Sequence, residues 1–457
     1  MKKMMRQAQV VRPHNLDEYL MNLLKSIYKT RNLSVEEVSQ WLTSAPLNSY
    51  FRVNTLKITP LEVMTSINEQ ISNLKRIKNN KKEQHSVRVH KHLSDCIVIS
   101  PMDKSLLDLS HKNEEVIVDI ATGQSALRGS HIFAPGIMAM APEVQVDSFI
   151  SVYADLAKGC KRGYQKYYDN PMKMFVGNGV AKMNRRQLFN GDINPKGIAV
   201  EMTDPVTGIP SFKLPDEYGM LQNLPSIVTG HALDVNDNNL KVLDMCAAPG
   251  NKTTHIATLM NNKGSIDAID KSKTKLKKVE LRCNNFGIQN VKIHHFDSLI
   301  SVDTNNINNN DDRPPFKNES FDRVLLDAPC SNLGQRPLLN IQVDKNLIKS
   351  FPALQRKLLI NVIDSITAVD LVKPGGILVY STCTITLEEN EHNVAWVLEK
   401  FPQMELIEIN SEIGSSGIAT QVGLNENLCK LVRRFGPENA EEDSIGFFIS
   451  KFQKKAK

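Results

Sequence analysis

Between Leu16 and Tyr28 apolar residues return at helical spacing, which predicts an amphipathic helix. Ser34 with Glu37 three residues later has the form of a capping box. It predicts a short second helix carrying Trp41 and Leu42. Phe51-Arg52-Val53-Asn54-Thr55-Leu56 alternates as a strand does, and Thr59-Pro60-Leu61-Glu62 opens another helix with proline at its first position. From about Glu114 the texture changes. Short apolar runs (Val116-Ile117-Val118, Ile150-Ser151-Val152-Tyr153, Met174-Phe175-Val176) are punctuated by Gly123, Gly129, Gly136, Gly177 and Gly179. This predicts a small β-rich module ending near Thr203, with a barrel among the shapes that fit.

From Leu240 onward strands and helices alternate. The predicted strands are Lys241 to Met245, Ser265 to Ile269, Val291 to His295, Arg323 to Leu326 and Ile377 to Tyr380. Helices are predicted at Lys273 to Phe286 and Leu354 to Leu371. That alternation is the pattern of a doubly wound α/β domain. A last strand, Ile445 to Phe452, follows no clear crossover helix and is expected to be antiparallel. Asn305 to Pro315 reads as a loose polar loop, and no internal repeat is present.

Composition narrows the class. The chain has 457 residues, 41% hydrophobic and 23% charged, an ordinary globular balance with room for two or three cores. No apolar run is long enough to span a membrane. Met1 to Gln7 has no apolar centre, so no secretory leader is predicted. The net charge of +6 tilts mildly toward a nucleic-acid partner. Two basic clusters stand out, Lys75, Arg76, Lys78, Lys81 and Lys82, then Lys158, Lys161, Arg162 and Lys166; solvated surface accounts for most such runs. The seven cysteines include no C-x-x-C pair. Reduced thiols in the cytosol or nucleus are therefore expected, and no metal.

The chemistry gathers at predicted strand ends. Asp244-Met245-Cys246-Ala247-Ala248-Pro249-Gly250-Asn251-Lys252-Thr253 runs from a strand through a Pro-Gly turn into a helix, which offers backbone N–H groups to a ligand. It has neither P-loop nor G-x-G-x-x-G spacing. Asp270, Asp297 and Asp327 end the next three strands, on the edge where open α/β sheets bind ligands; a carboxylate at Asp270 suits the two hydroxyls of a ribose. Cys330 lies just past the fourth strand and Cys383 just past the fifth. Two thiols at one rim suit cytosine-5 methylation. One adds to carbon 6 and makes carbon 5 nucleophilic, and the other assists release. A buried thiol pair and a disulfide are the alternatives.

These blocks resemble the Sun family of RNA cytosine-5 methyltransferases. The likeness rests on the Cys246–Lys252 loop, Asp270, Asp297, Asp327-Ala328-Pro329-Cys330-Ser331, Ser381-Thr382-Cys383-Thr384, and Glu388, Glu389, Asn390 and Glu391. The resemblance implies S-adenosylmethionine as cofactor and a seven-stranded Rossmann-like methyltransferase domain. Cys383 would be the nucleophile, Cys330 would aid release, and Asp327, with Lys252 nearby, would hold the cytosine. The cofactor would be held by Cys246, Ala247, Ala248, Pro249, Gly250, Asn251 and Lys252, with Asp270 on the ribose, Asp297 on the adenine side and Asp327 beside them. Leu127-Arg128-Gly129-Ser130-His131-Ile132-Phe133-Ala134-Pro135-Gly136 and Phe175-Val176-Gly177-Asn178-Gly179 look like a PUA domain.

That insertion resembles a tRNA-modifying subgroup of the family, and implies action near the 3′ end of the acceptor stem, with the CCA end gripped by Arg128, Phe133, Lys161 and Arg162. The expected architecture is α/β with three parts: an N-terminal α+β segment resembling an RNA-recognition fold at 1–111, the PUA domain at 112–204 and the catalytic domain at 205–457. The expected partner is tRNA, the expected compartment the cytoplasm, with no membrane and no obligate protein partner. Two departures from the family stand out: Asn251 where a second glycine is common, and Asn332 where Ser-Gly is common. Rival readings are a DNA cytosine-5 methyltransferase, in which the Pro-Cys thiol itself attacks, an enzyme for another RNA class, and a silent RNA-binding scaffold. The second thiol and the PUA-like module argue against the first.

Overall fold

The computed structural model describes residues 18–76, 87–190, 195–303, 313–339, 344–363, 369–439 and 442–456. Leu16, most of the loop at 305–315 and the basic cluster of side chains at 75–82 lie outside the described residues.

The chain begins with α1 (Glu18–Tyr28) and α2 (Val35–Thr43), whose capping box forms as expected, Ser34 Oγ accepting from the Glu37 N–H and Glu37 from the Ser34 N–H. Next come β1 (Ser49–Val53), α3 (Pro60–Arg76), β2 (Val87–Val89) and β3 (Cys96–Ile99). β1 stops two residues after Phe51 because the Asn54 amide turns to the backbone carbonyls of Glu217 and Phe286.

The module holds β4 (Glu115–Val118), α4 (Ile120–Ala126), β5 (Ile132–Phe133), β6 (Ile137–Met140), β7 (Phe149–Asp155), β8 (Lys173–Ala181), α5 (Arg185–Phe189) and β9 (Ile198–Pro205). Its six strands are ordered β5-β9-β8-β7-β4-β6. The hydrogen-bonded path is open, yet its two end strands are joined by the single turn Ala134–Gly136, so the sheet must curl to bring them together. Val116, Ile132, Ile150, Val152, Val176 and Val200 fill its interior.

β10 (Gly219–Leu221) then returns to pair with β1, giving the N-terminal sheet the order β10-β1-β3-β2. That strand falls inside the expected 205–457 catalytic range, so the N-terminal unit is built from both sides of the module. One face of its sheet packs on α3. The other, through Tyr50, Cys96 and Val98, shares a core with Leu224, Ile227 and Val242.

The catalytic region follows: α6 (Leu224–Ala232), β11 (Lys241–Asp244), α7 (Asn251–Leu259), β12 (Ser265–Asp270), α8 (Lys273–Phe286), β13 (Val291–His295), β14 (Phe321–Asp327), α9 (Lys345–Ile363), β15 (Val369–Asp370), β16 (Val372–Thr382), α10 (Glu391–Lys400), β17 (Met404–Ile407), α11 (Glu426–Cys429), β18 (Arg433–Phe435) and β19 (Phe447–Lys454). The sheet runs β13-β12-β11-β14-β16-β19-β17, with β18 added beside β19. β11 to β14 and β16 are parallel, and β19 is antiparallel to β16 as expected. This is the seven-stranded Rossmann-like arrangement, with helices on both faces. Two sequence readings shift. α9 starts at Lys345, where Asp344 accepts from the Asn346 and Leu347 N–H groups, and Leu371, expected to end that helix, lies between two strands. β16 extends back through Lys373-Pro374-Gly375-Gly376, residue types that mask a strand in sequence.

Asp95 ties the N-terminal sheet to α6 and α7. One carboxylate oxygen meets His231 Nε2 at 2.9 Å, the other His255 Nε2 at 2.7 Å. Burial opposes its ionisation, but the two imidazoles hold its carboxyl well below the usual range.

Candidate active site

Parallel pairing in register puts Asp327 of β14 beside Ser381 of β16. The chain leaves both strands at the carboxyl edge, and three and two residues later Cys330 and Cys383 meet, Sγ to Sγ 3.3 Å. Both are free thiols, which removes the disulfide alternative. Cys330 is buried and Cys383 half-buried. The two are electrostatically unlike. The contact with Cys383, then burial, raises the Cys330 thiol well above its ordinary range. The S–H that Cys330 offers lowers the Cys383 thiol, against burial, which works the other way. These shifts favour ionisation at Cys383 over Cys330.

Beside them, Asp327 is fixed at both oxygens. Lys252 Nζ lies 2.6 Å from Oδ2 and Ser381 Oγ donates to Oδ1 at 2.7 Å. Lys252 also sits over the Phe447 ring, 5.3 Å from its centroid. The four catalytic candidates, Cys383, Cys330, Asp327 and Lys252, thus share one rim.

The cofactor candidates flank this rim. Ala247 N–H donates to the Ile269 carbonyl and Gly250 N–H to the Ala247 carbonyl, which folds the loop tightly before α7. Gly250 has φ +98°, and a Cβ there would stand 3.1 Å from the Val279 backbone, so glycine is needed at this turn. Asn251 is the first residue of α7 and takes up ordinary helical geometry. The departure from the family pattern therefore falls at a position that needs no left-handed backbone. Asp270 is held by the Ala248 N–H at 3.2 Å and the Ser272 N–H at 2.8 Å, one on each oxygen, leaving further lone pairs for a diol. Asp297 lies two residues past β13 and accepts from the Leu299 N–H. A fixed carboxylate at one strand end and a close-packed glycine turn at the next fit a nucleoside cofactor on this edge.

Other polar groups of the rim had no assigned role in the sequence reading. Glu389, fully buried, accepts from the Ser331 N–H (3.0 Å), Ser331 Oγ (2.5 Å), Gln355 Nε2 (2.9 Å) and Thr386 Oγ1 (2.9 Å). It fastens the Cys330 loop to the Cys383 loop. Asp244, also buried, accepts from Thr253 Oγ1, while burial pushes its carboxyl up to about 7. Arg336 lies under the same loop, over the Trp41 ring at 4.2 Å, donating to the Trp41 carbonyl, Asp443 and the Ser444 carbonyl. Only fold-level pairing reveals the distant contacts among these, such as Arg336 with the Trp41 carbonyl 295 residues away.

The four module candidates separate. Phe133 is 49% exposed, and Lys161 is exposed. Arg162 is exposed too, but its Nη1 donates to the carbonyls of Pro135 (3.0 Å) and Ile137 (2.7 Å), so it braces the turn just after Phe133. Arg128 is half-buried and donates to the Arg336 carbonyl at 2.8 Å, joining the module to the catalytic loop, a contact absent from the sequence reading.

Comparison with known proteins agrees with this arrangement. Residues 231–453 match the family model described as 16S rRNA methyltransferase RsmB/F. A mouse tRNA (cytosine(72)-C(5))-methyltransferase, NSUN6, is 40% identical over 389 residues, covering 80% of this chain and 79% of its own. A tRNA (cytosine(72)-C(5))-methyltransferase of Pyrococcus horikoshii is 32% identical over 451 residues, covering 97% of both chains. The crystal structure of NSun6 from Pyrococcus horikoshii with SFG superposes with a TM-score of 0.70 at 27% identity, covering 96% of this chain and 99% of that one. The parallel sheet, the paired strand-end thiols and these matches together show that the chain belongs to the Sun (RsmB/F) family of S-adenosylmethionine-dependent RNA cytosine-5 methyltransferases.

Proposed function

We propose that the chain methylates carbon 5 of a cytosine in tRNA, near the 3′ end of the acceptor stem, through a covalent adduct on Cys383. The observation that carries the mechanism is the 3.3 Å approach of two unlike sulfurs beside a fixed carboxylate. The Cys383 thiolate adds to carbon 6 of the cytosine, and the ring electrons become available at carbon 5. Asp327, oriented by Lys252 and Ser381, holds the amino or ring nitrogen of the base. S-adenosylmethionine supplies an electrophilic methyl group when bound, with Asp270 on its ribose, Asp297 toward its adenine and the Cys246–Lys252 backbone around its methionine portion. After transfer the carbon 5 proton is lost to solvent. Its bonding pair restores the ring double bond and the carbon–sulfur bond breaks, leaving the electron pair on Cys383. Cys330 Sγ lies 3.3 Å from that sulfur, and its S–H donates to and stabilises the departing thiolate.

The choice of tRNA is supported by relatives named for cytosine 72 of tRNA that match across 80% and 97% of the chain. In this reading the curled six-stranded module is a PUA domain and offers Phe133 to a base and Lys161 to a phosphate of the CCA end. Arg162 supports the turn behind them. Cytoplasmic work fits the seven free thiols, and among the described residues no helix is long and apolar enough to cross a membrane.

The test is methyl transfer to tRNA with each thiol removed. Cys383→Ala abolishes transfer while S-adenosylmethionine affinity stays within a few-fold. Cys330→Ala slows turnover and accumulates a covalent protein–RNA band on denaturing gels, which Cys383→Ala lacks. The opposite band pattern would exchange the two roles, as in the DNA-enzyme chemistry.

A further inference from the structure

Asn332 stands two residues beyond Cys330 with φ +59°, a left-handed conformation that favours glycine. Its side chain is exposed at the mouth of the site and reaches back to both cysteines. Oδ1 lies 2.8 Å from Cys383 Sγ, and Nδ2 donates to the Cys330 backbone carbonyl at 3.2 Å. The second contact fixes the amide's orientation. A carbonyl oxygen only accepts, so Nδ2 must face Cys330 and the oxygen must face the sulfur. An amide oxygen also only accepts, so the Cys383 contact exists only while that sulfur carries its proton. The three groups then close a directional ring: Cys330 S–H to Cys383 sulfur, Cys383 S–H to Asn332 Oδ1, Asn332 N–H to the Cys330 carbonyl. Ionising Cys383 breaks one link and leaves two electron-rich atoms facing each other.

We propose that Asn332 is a positioning residue that holds Cys383 protonated in the RNA-free enzyme and is displaced when the target base enters. This rests on Cys383 being the nucleophile. Cys330 and Asn332 act in opposite senses on the same sulfur. Cys330 favours the thiolate needed for attack, and Asn332 withholds it from stray electrophiles while the site stands open. A glycine at 332 would suit the backbone and lack the clasp.

The test reads the pH midpoint of Cys383 alkylation by iodoacetamide, followed by mass spectrometry of the Cys383 peptide, without RNA or cofactor. Asn332→Gly should lower the midpoint by about half to one pH unit, the range one neutral hydrogen bond supports, so alkylation below it runs roughly three- to tenfold faster. Asn332→Asp places a negative charge against the sulfur and should raise the midpoint. A midpoint unchanged or raised in Asn332→Gly, or lowered in Asn332→Asp, overturns the clasp. The readout is separable from the catalytic reading. A failed clasp would leave the Cys330→Ala adduct band intact, whereas a failed nucleophile would abolish that band and leave the alkylation midpoints as they are.

Discussion

The catalytic rim and the module surface hold their functional groups in contrasting ways. At the rim each reactive group has partners already in place: Asp327 has Lys252 and Ser381, Cys383 has Cys330 and Asn332, and Glu389 gathers four donors. On the module Phe133 and Lys161 stand out toward solvent, while Arg128 and Arg162 each donate to backbone carbonyls, Arg162 from an exposed position. Under the proposed function the difference follows from the task. Bond-making at one carbon needs groups fixed before substrate arrives, whereas gripping a flexible RNA end tolerates side chains that order on contact. Damage at the rim should therefore appear as lost stability or lost chemistry, and damage on the module as a graded loss of affinity.

The largest effect expected from a single polar change is at Glu389. Replacing it by Leu, of similar size, removes both acceptor oxygens and leaves the Ser331 N–H among the donors that lose their acceptor. Such a loss costs roughly 1–3 kcal/mol, toward the upper end where the lost acceptor is charged. Thermal or denaturant unfolding should show it, together with a fall in turnover as the two cysteine loops separate. Wild-type stability in Glu389→Leu would mean the rim is less preorganised than its hydrogen bonds indicate, and the contrast with the module would weaken.

Asp270→Ala should act more locally. Each oxygen already accepts one backbone N–H, so the removed carboxylate anchors the turn and, in the proposed function, also meets the ribose. Charge-assisted hydrogen bonds contribute about 1.5–3 kcal/mol each, so S-adenosylmethionine should bind roughly tenfold more weakly or worse. Calorimetry would measure this directly, and unchanged affinity would remove Asp270 from the cofactor site. tRNA affinity, measured without cofactor, should be nearly unaffected.

What the sequence disclosed depended on how local the signal was. Strand ends are local, and so Asp270, Asp297, Asp327, Cys330 and Cys383 were placed by reading where apolar runs stop. The Pro-Gly turn and the Ser34–Glu37 cap were legible for the same reason. The Arg128 contact was not, because its partner, the Arg336 carbonyl, lies 208 residues away and only the packing of module on catalytic loop brings them together. Likewise β10 read as part of the last domain until its pairing with β1 emerged, and the Pro374-Gly375-Gly376 run hid the first half of β16. A basic residue in a motif signals charge, but whether that charge faces RNA or a neighbouring carbonyl is a tertiary fact.

The finest test of the contrast is on the module, where the two adjacent basic residues should behave differently. Lys161 is exposed, and an exposed ammonium that meets a phosphate contributes a screened, additive term. Lys161→Ala should weaken tRNA binding only a few-fold and make the slope of log affinity against log salt shallower by about one contact. Arg162 donates to two carbonyls of the turn after Phe133, so Arg162→Ala would disturb the aromatic platform and confuse charge with structure. Lys161→Ala is for that reason the cleaner variant. Its S-adenosylmethionine affinity should match wild type. Trimming the CCA end from the tRNA should cost wild type more affinity than it costs Lys161→Ala, because the lost contact is counted once. If Lys161→Ala keeps the full salt slope and responds to CCA trimming as wild type does, Lys161 does not touch the RNA end, and the module's grip must lie on Phe133 or on another face.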